Sequence, residues 1–94
     1  MSEITDDLNR QISIAAYFLS QKNHPYDTLC WMLAERELYI QLSFKKPQKE
    51  MIKMRAAEIF FSKPSYDVLC WLISEKEILF KNKIVKKTKS TFYL

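Results

Sequence analysis

Glycine is absent from the 94 residues of this chain, although average usage would supply about six or seven. The chain therefore lacks the residue that takes positive φ at no steric cost. Phosphate-cradling loops, dinucleotide-binding turns and tight hairpins depend on it, so the usual nucleotide-binding enzymes are disfavoured. Histidine occurs once, as His24, and cysteine twice, as Cys30 and Cys70, with no C-x-x-C pair. A four-ligand zinc site made of Cys and His cannot be assembled from three such residues in one chain, and no metal or other cofactor is expected. No run approaches the eighteen or so apolar residues needed to cross a bilayer. The start, MSEITDDLNR, has no basic segment leading into an apolar one, so no secretory signal is expected. These features predict a soluble, cytoplasmic protein whose two thiols stay reduced.

Hydrophobic residues make up 48% of the chain and aromatic residues 14%, well above what a disordered chain carries, and the length suits one compact domain. Charge is unevenly placed. Up to residue 80 there are ten basic and eleven acidic residues, whereas 81–94 hold Lys81, Lys83, Lys86, Lys87 and Lys89 and no acid. The net charge of +4 thus belongs to the C-terminal segment, which weakens the case for the body as a basic nucleic-acid platform and leaves that segment as the candidate.

One segment is written twice. Tyr26, Asp27, Leu29, Cys30, Trp31, Glu35 and Glu37 recur as Tyr66, Asp67, Leu69, Cys70, Trp71, Glu75 and Glu77, at an offset of forty. Upstream, Ala15 and Ala16 match Ala56 and Ala57 at forty-one, as though one residue were lost in the connecting turn. A repeat near this length is the size of a supersecondary unit that covers its apolar face only by stacking on a copy. Each unit reads as helix, turn, helix. Leu8, Ile12, Ala15, Ala16 and Leu19 form a helical stripe, with Thr5 as its N-cap. Pro25 and Pro64 break the pattern, and Asp27 and Asp67 open the next helices. Those helices carry the stripes Trp31, Ala34, Leu38, Leu42 and Trp71, Ser74, Ile78, Asn82, the polar Ser74 predicting a less buried second face. Pro47 separates the units, and a third helix over about 48–61 would turn Ile52, Ala56, Ile59 and Phe60 inward.

The expected fold is all-α, a four-helix bundle of two tandem helix-turn-helix hairpins, about 6–44 and 48–80, with approximate two-fold symmetry. Trp31, Trp71, Leu38, Ile78, Cys30 and Cys70 are expected in one core. The basic extension 81–94 is expected to continue the last helix and then fray, or to dock through Phe92 and Leu94.

Arg55-Ala56-Ala57-Glu58-Ile59-Phe60, Pro64, and Trp31-Met32-Leu33-Ala34-Glu35-Arg36-Glu37-Leu38 together resemble a bacterial domain-of-unknown-function family. Its units pair an R-A-x-E-I-W helix with W-L-x-A-E-x-E-L across a Gly-Arg-Pro type of turn. Both copies here lack the Gly-Arg pair. The resemblance covers roughly 12–80 and implies a small helical fold, with no catalytic or ligand-binding residue to carry over.

Cys30 and Cys70 are read as core, because neither has the histidine and acid of a catalytic thiol. Glu35 with Glu37, and Glu75 with Glu77, lie two apart on a helix and diverge by about 200°, so they read as solvated or paired with Arg10, Arg55 or Lys53. His24 reads as a turn residue. Tyr17, Tyr39, Phe44 and Phe61 lie off the main stripes and are the candidate outward apolar patch. The chain is expected to be non-enzymatic and to bind a protein partner or a second copy of itself. The alternative partner is nucleic acid, contacted by Lys81, Lys83, Lys86, Lys87 and Lys89.

Overall fold

The computed structural model describes the backbone of residues 2–93 and the side chains of residues 7–81. It is an all-α four-helix bundle of two tandem helix-turn-helix units with approximate two-fold symmetry: α1 Ser2–Gln21, α2 Tyr26–Gln41, α3 Lys49–Ser62 and α4 Tyr66–Tyr93. Thr5 lies inside α1 instead of capping it. The side chains of Lys83, Lys86, Lys87, Lys89, Phe92 and Leu94 fall outside the described residues.

Helix endings show how the chain manages without glycine. At the end of α2 the Phe44 N–H donates to the Tyr39 carbonyl at 2.8 Å and the Ser43 N–H to that of Ile40 at 3.1 Å, while Ser43 takes φ 57°. This is a Schellman motif. Its usual apolar contact is present as Tyr39 against Phe44, ring centroids 6.0 Å apart. The other two turns place Asn23 (φ 55°) and Lys63 (φ 56°) in the left-handed region, where a side chain is sterically costly. Lys63→Gly is expected to add about 0.5–1 kcal/mol of stability, read as a rise in Tm. A fall in Tm would contradict the left-handed geometry at 63.

The helices form a row. Among the described residues, α1 packs on α4, α4 on α2 and α2 on α3, and no other pair is in contact. The two helices of one unit therefore do not cover each other, and each unit's first helix lies on the other unit's second. The central pair is parallel and in register. At one end the Tyr66 hydroxyl donates to the His24 carbonyl at 2.7 Å and the Tyr26 hydroxyl to that of Pro64. At the other, Arg36 reaches Glu77 at 2.8 Å and Tyr39 stacks edge-on against Phe80. Each contact joins positions about forty apart, as a two-fold axis along the helix pair requires.

Burial follows the same axis. The core holds Leu29, Cys30, Leu33 and Ala34 from α2 and their equivalents Leu69, Cys70, Ile73 and Ser74 from α4, flanked by Ala16, Ile52 and Ile59. Ser74 is as buried as Ala34, so the second face is not looser than the first. Trp31, Trp71 and Leu38 are half-buried and packed against this cluster, and Ile78 is half-buried as well. The core thus includes Ala34 and Ser74 of the Trp stripes and extends one step around each helix, to Leu29, Leu33, Leu69 and Ile73. Phe60 is partly exposed and rests edge-on against Tyr26. The upstream offset is also forty: Ile12 with Ile52, Asn23 with Lys63 and His24 with Pro64 occupy matching places, and no residue is lost in the turn.

Candidate functional site

The two-fold breaks where α2 stops and α4 continues. After the left-handed pair Ser43 (φ 57°) and Phe44 (φ 68°), the connection to α3 folds back and buries Pro47. This leaves an open cleft of about 440 Å³ between the second half of α2, the Lys46-Pro47 turn and the middle of α4. Tyr39, Ile40, Pro47 and Phe80 line its apolar part, and Glu35, Arg36, Lys46, Lys76, Glu77 and Lys81 carry its charge. Phe80 holds Tyr39 and Phe44 at ring-centroid distances of 5.1 Å each.

Most of the charges are already paired. The Arg36 Nε and Nη2 both donate to Glu77 Oε1, at 3.0 and 2.8 Å, and its Nη1 reaches Glu35 at 3.2 Å. Lys76 lies 3.4 Å from Glu75. Glu37 turns the other way and takes Arg55 of α3 at 2.7 Å, which also meets Glu58. Hydrogen bonds to Glu37 and then Glu58 raise the Arg55 pKa further. The four repeated glutamates are thus ion-pair partners, with Arg55 the only expected basic residue among them. Arg36 joins α2 to α4 through a residue of the repeat itself, a partner that sequence spacing did not single out.

A second candidate region is the outer surface. Of the four expected patch residues, Tyr17 and Phe61 are exposed, at 60% and 76%. Tyr39 and Phe44 are half-buried in the aromatic group with Phe80, because the Schellman turn folds Phe44 back onto Tyr39. Unforeseen residues enlarge the outer set: Ile14 and Phe18 beside Tyr17 on α1, and Met54 beside Phe61 on α3. Their spacing puts them about half a turn from Ile12 and Ile59, so α1 and α3 are apolar on both faces. The sequence carries this signal as apolar residues that lie outside the core stripe. Of the five candidate lysines, Lys81 is exposed and the other four lie outside the described side chains.

Cys30 and Cys70 are free and buried. Cys30 lines the crease between α2 and α3 with Ala56 and Ala57, and Cys70 is equally buried in the core. Burial, reinforced by Asp27 and Asp67 respectively, pushes both above the ordinary thiol value of 9.0. The neutral form is favoured in the fold, so its stabilising contribution is complete below the unfolded thiol pKa and is lost as pH rises through the folded one. Iodoacetamide is expected to alkylate both thiols far more slowly in the native protein than in urea at pH 8, measured by mass spectrometry. Equal rates would place the thiols at the surface.

No group of three or more His, Cys, Asp or Glu able to hold a metal ion occurs among the described residues, and none of their helices is long and apolar enough to cross a membrane. No protein-family model matches this chain, and neither a curated protein nor a solved structure matches it.

Proposed function

We propose that the chain is a non-enzymatic protein-interaction module that docks through the outer faces of α1 and α3. The observation that carries this reading is the exposure of Phe18 and Tyr17 on one helix and of Met54 and Phe61 on the other. Each set lies opposite the core stripe of its helix. Large apolar side chains grouped on a solvent face mark interaction surfaces, and aromatic residues and Met are enriched in them. The two faces belong to opposite ends of the row of helices, so one chain offers two related surfaces to a partner or to a second copy of itself. We also place the protein in the cytoplasm, a reading supported by its two unpaired thiols, and regard the halves as tandem copies of the W-L-x-A-E-x-E-L unit.

Two double variants test the docking reading, Tyr17→Ser with Phe18→Ser and Met54→Ser with Phe61→Ser. Each is expected to keep its Tm within a few degrees, because exposed positions contribute little to stability. Each is also expected to lose the self-association seen by light scattering or the partners retained from lysate by the parent protein. Unchanged association in both variants would refute it.

A second reading assigns Lys81, Lys83, Lys86, Lys87 and Lys89 to nucleic acid, supported by the continuation of α4 to Tyr93 beyond the length of α2. If all five touched DNA phosphates, log affinity would fall against log salt with a slope of about −4 to −5. Fluorescence anisotropy with a duplex at low salt checks this, and absence of binding there removes the reading.

A further inference from the structure

We infer that the cleft between α2 and α4 binds a small amphiphilic carboxylate, a ligand with an apolar body and one anionic end. At about 440 Å³ the cleft falls within the range of about 300–1,000 Å³ common to small-molecule sites, with Tyr39, Ile40, Pro47 and Phe80 offering an apolar floor.

Both acids on the cleft are engaged by Arg36, and Lys76 is engaged by Glu75. Lys46 and Lys81 are exposed and have no ion-pair partner among the described residues. Two uncommitted ammonium groups beside an apolar floor complement a single anionic head, and they repel a cationic one. The cleft occurs where the two units stop matching, since the turn carrying Lys46 and Pro47 has no counterpart after α4. The left-handed Ser43 and Phe44 that set this turn are costly conformations, held here by the contact of Phe44 with Tyr39 and Phe80.

Sodium decanoate is the probe, titrated below its micellar range into the full chain labelled with 15N and 13C, with decylammonium as the charge-reversed control. Decanoate is expected to shift the ring signals of Tyr39 and Phe80 and the amides of 36–40 and 76–81 saturably. Decylammonium is expected to leave them unmoved. Lys46→Gln combined with Lys81→Gln, at exposed positions that leave the fold intact by amide dispersion, is expected to weaken decanoate roughly tenfold. Four results would each overturn the inference: no decanoate binding, equal binding of decylammonium, unchanged affinity in the double variant, or shifts confined to 83–89 or to the outer faces of α1 and α3. The last two locations would identify the basic extension or the docking faces as the apolar-anion site instead. Failure here leaves the docking reading standing, because it involves different residues and a different measurement.

Discussion

Leu69→Ala is expected to cost about 2–5 kcal/mol, whereas Leu79→Ala on the same helix costs under about 1 kcal/mol. Leu69 is fully buried and Leu79 is 41% exposed, although both are leucines on α4. The loss at Leu69 combines the transfer free energy of the deleted atoms with the cavity left between tightly packed helices. In a domain of this size each kcal/mol moves Tm by about 4–8 °C, so the two variants differ plainly in a thermal melt. Leu29→Ala, the symmetric partner, is expected to match Leu69→Ala, since Leu29 is also fully buried. Urea melts with unchanged slopes would confirm that stability, and not the denatured state, has changed. Equal losses at Leu69 and Leu79 would contradict the burial pattern.

A single unit, residues 1–46, is expected to lose its fold as a monomer and to regain it only as a dimer. Among the described residues α1 touches α4 and not α2, so an isolated unit offers neither helix its packing partner. Helices of 20 and 16 residues are marginal in water when their apolar faces are uncovered. Two copies restore the arrangement, with each α1 on the other chain's α2 and the two α2 helices side by side. Helicity by circular dichroism should therefore rise with concentration, and sedimentation should give a two-chain species. A folded, concentration-independent monomer would show that the helices of one unit pack together.

The count of helices, their order and the doubling of the chain were legible in the sequence, because the helical period, the three prolines and the offset of forty are local signals. The centre of the core was not. α2 and α4 each have two neighbours, so their apolar arc is wide, and a reading that looks for one stripe settles on the tryptophans instead of Leu29, Leu33, Leu69 and Ile73. The similarity of Ala15-Ala16 to Ala56-Ala57 suggests an offset of forty-one. The carbonyls of His24 and Pro64, each bonded by the other unit's tyrosine, hold the register at forty.

Which helix covers which was equally hidden. A short turn joins consecutive helices whether they fold together or diverge, and the repeat makes each partner chemically equivalent to its copy. Tyr17 and Phe61 were recognisable as outward residues by their places off the stripes. Tyr39 and Phe44 were not separable from them, since their contact with Phe80 joins residues about forty apart through a left-handed turn that no glycine announced. The cleft depends on those same long-range contacts and on the ion pairs that leave Lys46 and Lys81 uncommitted.

The interlocked row, with α2 and α4 parallel and each outer helix covering the other unit, is tested most directly by nuclear Overhauser contacts in a 13C-labelled sample. The arrangement predicts cross-peaks from the Tyr39 ring to Phe80, from the Tyr26 ring to Pro64 and from the Tyr66 ring to His24. Cross-peaks joining Ile12 or Ala16 of α1 to Leu33 of α2, in place of contacts from α1 to α4, would contradict it.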